Sequence, residues 1–154
     1  MRECAVPSTI RIASLTDLLQ VTSLREQWSA SRGFVGDTVE FADRVRAWWE
    51  RQGDSRVCWL AFDDEKAIGM ANLAVFERMP HVGVPDGRWG YVGNVWVDPT
   101  QRRRGVATAL MTAVIDRCRA GSFERIVLNP SEMSMPMYRG LGFRPADELM
   151  CLDL

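Results

Sequence analysis

Apolar and polar positions change their period several times along the chain, and each change marks an element. Thr9-Ile10-Arg11-Ile12-Ala13 alternates and predicts a first strand. Ser14 and Asp17 frame a helix start of capping-box type, with Asp as a weaker substitute for Glu. Leu18, Val21 and Trp28 then share one helical stripe, which Gly33 and Gly36 end. Asp37 or Thr38 opens a second helix with Phe41, Val45, Trp48 and Trp49 on its apolar face, closed by Gly53-Asp54. The apolar run 57–62 reads as a buried strand. The polar turn 63–66 follows, and 67–76 returns as its antiparallel partner.

Residues 77–90 hold three glycines, two prolines and His81, the composition of a long loop. A strand over 91–97 stops at Asp98-Pro99. Val106, Leu110, Val114 and Cys118 then fall four apart and predict the strongest helix, ended by Gly121. A short strand at 125–128 makes a right-handed βαβ unit with 91–97 through that helix. A short helix over 134–141 is closed by Gly142, and 150–154 reads as a last strand. The sum is an α+β fold, a mixed and mostly antiparallel sheet flanked by helices on both faces. Residues 1–8 read as an N-terminal extension and 9–154 as one domain.

Composition narrows the class further. A chain of 154 residues, 47% hydrophobic, can build a core without disulfides or metal. No run approaches the ~18 apolar residues of a membrane helix, and the first residues lack the apolar block of a secretory signal. A cytoplasmic protein without a membrane partner is expected. The net charge of −1, from 19 basic and 20 acidic residues, weighs against a nucleic-acid partner. Lys66 is the only lysine, a skew read as the composition of a GC-rich bacterial genome. The four cysteines (Cys4, Cys58, Cys118, Cys151) form no CxxC pair and His81 is the only histidine, so no metal is expected. Cys58, Cys118 and Cys151 lie among apolar neighbours and read as small buried thiols rather than nucleophiles.

The segment 98–108 carries the most chemistry. A strand ends, Arg102, Arg103 and Arg104 follow, and Gly105 opens the long amphipathic helix. A helix N-terminus has free N–H groups and the positive end of the dipole, so an anion fits there. Glycine lets that anion approach the backbone, and arginines add forked donors for phosphate oxygens. The bland alternative is a solvated basic turn. No GK[ST] P-loop or GxGxxG is present, so nucleotide triphosphates and dinucleotides are not favoured.

Two motifs add to this. Arg102-Arg103-Arg104-Gly105-Val106-Ala107 resembles the acetyl-CoA signature of the GNAT superfamily of N-acetyltransferases, Gln/Arg-x-x-Gly-x-Gly/Ala. Tyr138-Arg139-Gly140-Leu141-Gly142-Phe143 resembles the closing motif of the same family, and the element order fits over residues 9–154. The resemblance implies acetyl-CoA as co-substrate. It implies that the strand Val95-Trp96-Val97 splays from its neighbour and pairs with the pantetheine amides. N–H groups from Arg103 through Gly105, Val106 and Ala107 to Thr108 would cradle the pyrophosphate, with the arginines facing the adenosine phosphate. Asn129, Ser131 or Ser134 would touch CoA, and Tyr138 would stand by the thioester sulfur. Two departures from the family pattern are Arg103, where a small residue is common, and Ala107 for the second glycine.

The phenol of Tyr138 has its own physical case. Aminolysis of a thioester expels a thiolate, and a group of pKa near 10 is suited to protonate it. The alternative is a tyrosine that covers the helix edge. For the base, Glu77 is the candidate, directly or through water, with His81 and Asp86 in the following loop as rivals. Asn94 alternates with Val95 and is expected to face the acceptor, with Phe34 on another wall and Trp89 as a loop residue at a pocket. The expected activity is transfer of an acetyl group from acetyl-CoA to a primary amine by direct attack in a ternary complex. A non-catalytic acyl-CoA sensor is the alternative. Exposed strand edges make a homodimer reasonable.

Overall fold

The computed structural model describes Pro7 and residues 9–154, and the sheet within it holds five strands. The N-terminal extension, with Cys4, otherwise lies outside the described residues. Strand β1 (Thr9–Ile12) leads through a 3-10 turn into helix α1 (Leu18–Ser31), and α2 (Thr38–Gln52) follows. Strands β2 (Arg56–Asp63), β3 (Lys66–Glu77) and β4 (Arg88–Val97) come next. Helix α3 (Val106–Ala120), β5 (Arg125–Leu128) and α4 (Met135–Gly140) complete the order. Strand order in space equals order in sequence, antiparallel from β1 to β4, with β5 parallel to β4 across the α3 crossover.

Two cores sandwich the sheet. On one face Leu110, Met111 and Val114 of α3 pack on Trp59, Ala71 and Leu73, all nearly or fully inaccessible. On the other, Val21 and Leu24 of α1 pack on Cys58, Leu60, Met70 and Trp96. Helix α2 has no fully buried residue; its Val45 and Trp49 cover the edge of this second core. The alternating faces of β2 and β3 thus both meet helices, which is why these strands read as continuous apolar runs rather than as alternation.

The entry to α1 is tied more firmly than its capping residues alone imply. The Asp17 carboxylate accepts the Ser14 N–H at 2.8 Å and both guanidinium arms of Arg11, at 2.7 and 2.8 Å. The bond to the Arg11 guanidinium is the main reason the pKa of the Asp17 carboxyl lies far below the usual carboxylate range. At the far end of β4, Asp98 accepts the N–H and hydroxyl of Thr100, at 2.9 and 2.7 Å, and fixes the turn that leads to α3.

Two sequence expectations change. Residues 150–154 form no strand: Met150, Leu152 and Leu154 stand exposed in irregular chain. Their alternation supplies an apolar face, but a strand exists only through a ladder, and among the described residues no backbone ladder includes them. The long loop is shorter than 77–90, because β4 begins at Arg88 and places Trp89 in the sheet opposite Phe76. The Trp89 indole N–H donates to Glu124 at 3.0 Å, so it staples β4 to the α3–β5 loop rather than lining a pocket.

Candidate active site

The parallel ladder between β4 and β5 ends at the pair Val92–Leu128. From Gly93 to Val97 the β4 backbone pairs only with β3, so its other edge is open. Within this stretch the β3–β4 register slips by one residue between Met70–Trp96 and Asn72–Gly93. Asn94 absorbs the extra residue with φ of 55°, a left-handed conformation that Asn tolerates better than most residues. The bulge turns the end of β4 away from β5 and opens the cleft that the resemblance implied.

A cavity of about 640 Å³ fills this cleft. One wall is the bulged strand, from Gly93 through Asn94, Val95 and Trp96 to Val97. Its end is the turn into α3, where Arg103 and Gly105 adopt φ of 63° and 78°. The first bond closing the helix runs from Ala109 N–H to Gly105 C=O. The N–H groups of Val106, Ala107 and Thr108 therefore leave the helix end without intrahelical partners. Residues of positive φ just ahead of a helix help to gather backbone N–H groups into a concave set of donors suited to phosphate. A side chain at Gly105 would meet nothing within 4 Å, so φ rather than crowding selects glycine there.

The three arginines differ in role. Arg102 turns back: its Nε donates to the Val97 carbonyl at 3.1 Å and its guanidinium lies 4.6 Å from the Trp96 ring centre. It clasps the strand end. Arg104 donates to Gln101 and does not line the cavity. Arg103 lines it and is exposed. Asn129, Ser131 and Ser134 all reach the opposite wall, with the two serine hydroxyls 2.9 Å apart.

Tyr138 closes the inner end of the same cavity from α4. It is 7% exposed, and Phe143 packs edge-to-face on its ring at 5.6 Å. Burial pushes the phenol above its usual value, so it holds its proton through neutral pH.

Glu77 and Phe34 fall elsewhere. Glu77 pairs with Arg88 at the start of β4, six residues from Asn94, or about 20 Å along the strand. It does not line the cavity, so it is out of reach for direct proton transfer there. Its position at a strand end was read correctly, but it is the wrong end. Phe34 sits exposed in the α1–α2 loop, away from the cavity wall. His81 and Asp86 are exposed in the 78–87 loop and line no part of it. Among the described residues no Asp, Glu or His lines this cavity, and no cluster of three metal-ligating side chains exists. Burial raises the Cys58 thiol to about 12 and that of Cys118 to about 11, so neither supplies a thiolate near neutral pH.

Sequence reasoning missed Trp28, Met133 and Met137 on the cavity wall. Trp28 was assigned to packing because it continues the α1 stripe, and nothing in a stripe tells core from cavity wall. A second cavity was missed altogether. It lies between α1, α2 and the opposite face of the sheet, and Asn94 lines both.

An open strand edge at a bulge, a donor-lined turn into a helix and a buried tyrosine on a short helix define an acyl-CoA-binding transferase class. The acetyltransferase (GNAT) family model matches residues 21–143, and the chain belongs to that family. It is 37% identical over 89 residues to glucosamine 6-phosphate N-acetyltransferase of Trypanosoma brucei brucei, a stretch covering 58% of each protein. A GCN5-related N-acetyltransferase from Ralstonia eutropha JMP134 superposes with a TM-score of 0.71 at 28% identity, over 94% of this chain and 97% of that one. A predicted acetyltransferase from Clostridium acetobutylicum, crystallised with acetyl-CoA, shares the fold with a TM-score of 0.76 at 23% identity, over 94% and 95% of the two chains.

Proposed function

We propose that residues 9–154 form one domain that moves the acetyl group of acetyl-CoA to a primary amine, by direct attack within a ternary complex. The observation that carries this reading is the opening of β4 at the Asn94 bulge between the α3 turn and Tyr138. The residues fit acetyl-CoA. The N–H groups of Val106, Ala107 and Thr108 offer donors to a pyrophosphate, with Arg103 beside them. The open edge of Val95–Val97 offers amide donors and acceptors to an extended pantetheine arm. Trp96 adds an indole N–H that is buried without a protein partner, on a residue that lines the cavity.

In the reaction the amine nitrogen attacks the thioester carbonyl, the C–S bond breaks and CoA leaves as a thiolate. Tyr138 gives that sulfur its proton. The raised pKa of the phenol suits this role, because it stays protonated where a free tyrosine begins to ionise. The incoming ammonium first gives one proton to water, since no carboxylate or imidazole among the described residues lines the cleft, and the second proton, shed by the nitrogen after attack, passes through water to restore the Tyr138 phenol. The Trypanosoma relative acts, by its name, on glucosamine 6-phosphate, which makes that sugar the first acceptor to try.

Thiol release from acetyl-CoA, followed across a panel of amines and across pH, tests the reading. At least one amine will accelerate thiol release, and kcat/KM will rise with pH along each amine's own titration. A rise at one fixed pH for amines of different pKa would instead reveal an enzyme base. No acceleration by any amine in a chain that binds acetyl-CoA would support the sensor alternative.

A further inference from the structure

The second cavity, of about 450 Å³, is lined by four arginines and, among the described residues, by no acid. Arg25 comes from α1, Arg44 and Arg51 from α2, and Arg56 from β2. Arg56 is engaged within the protein: its Nε donates to Gln52 at 3.0 Å and one arm donates to Asn72 at 3.2 Å. The other three have no ion-pair partner among the described residues.

Arg25 is the unusual one. Leu18, Val21, Arg25 and Trp28 follow each other at i, i+3, i+7 and i+10, so an arginine occupies a position on the apolar stripe of α1. Its guanidinium stacks over the Trp28 ring at 4.1 Å, and one arm, Nη1, is buried with no hydrogen-bond partner among the described residues. An arginine that only snorkelled along the helix would carry that arm to water. Buried charged donors are ordinarily paired, and burial here already works against the charged form. Arg44 and Arg51 stand at i+3 and i+10 from Phe41, on the edge of the α2 face that meets this cavity. Asn94, at the bulge, connects it to the cleft that holds Tyr138.

We propose that this cavity is the anion subsite of the acceptor. The acceptor amine carries a phosphate or carboxylate, held by Arg25 with Arg44 and Arg51 at the rim, while its nitrogen reaches past Asn94 toward the thioester. This rests on the acetyl-transfer reading and adds to it the substrate class and the residues that select it. The guanidinium groups also disfavour an ammonium nearby, which favours the neutral, reactive amine.

Calorimetric titration of the chain saturated with CoA, where no turnover can occur, tests the subsite with two matched pairs. Glucosamine 6-phosphate against glucosamine reads phosphate, and β-alanine against its amide reads carboxylate. At low salt the anionic member of at least one pair binds tenfold or more tighter than its neutral twin, and the pair that discriminates names the anion. The preference collapses in Arg25→Met and in the exposed double variant Arg44→Gln/Arg51→Gln, while CoA affinity stays unchanged. The double variant decides the matter if Arg25→Met does not fold. Equal binding within both pairs, or a preference that survives in the folded variants, overturns the subsite. An intact anion preference with no acetylated product from acetyl-CoA would overturn the transfer reading and leave the subsite standing.

Discussion

At the scale of single residues, the site depends on side chains whose surroundings change their behaviour. In the proposed reaction Tyr138 is the general acid: burial keeps its proton in place and Phe143 packs on its ring. Tyr138→Phe retains the ring and removes the donor. It should lower kcat by roughly 10²-fold, in the range for loss of a general acid, with little change in acetyl-CoA affinity. The sign of the pH effect follows from the raised phenol. The parent enzyme keeps its acid up to and beyond the usual tyrosine range near 10, then loses activity as the phenol ionises. The variant has no such alkaline limb. Stopped-flow turnover across pH reads both, and wild-type turnover in the variant would make Tyr138 a packing residue. Arg25 shows what a residue-by-residue reading misses. Its place on the apolar stripe of α1 gains meaning only from the cavity beneath it.

At the scale of elements, the turn from β4 into α3 was legible because several local rules agree there. Asp98-Pro99 stops the strand, the arginines are polar, and Gly105 takes the left-handed φ that starts the helix. Gly105→Glu places a negative side chain at the donor-lined turn and forces a left-handed conformation on a residue with a Cβ. Acetyl-CoA affinity should fall at least tenfold, about 1.4 kcal/mol, and circular dichroism should show the fold retained. Unchanged affinity in the folded variant would put the anion site elsewhere. The β4 bulge was harder to see. An alternating strand gives no sign of one extra residue, and only the register against β3 reveals it. The expected strand at 150–154 failed for the opposite reason: the pattern was present and the partner was not.

At the scale of the whole molecule, the β2–β3 hairpin, the β4–α3–β5 crossover and both helix layers followed from periodicity and turn signals, since long elements bury faces that the sequence must mark, whereas the β1–β2 and β3–β4 pairings that complete the sheet order did not. The residues proposed for the donor side stand together in the sequence, because a helix N-terminus carries its chemistry in consecutive residues. Those proposed for the acceptor side do not, because the second cavity is assembled from α1, α2 and three strands that are distant in sequence. Glu77 was misplaced by this same limit: which end of a hairpin borders a cleft depends on where β5 stops pairing. Among the described residues no helix is long and apolar enough to cross a membrane.

The central claim is direct transfer in a cleft without a protein nucleophile. Acetyl-CoA labelled in its acetyl group, incubated with the chain with and without an accepted amine, tests it by mass spectrometry of both protein and small molecules. One labelled amide should form for each CoA released, with the protein unlabelled whether or not the amine is present. Label on the protein that transfers to the amine when it is added would contradict it.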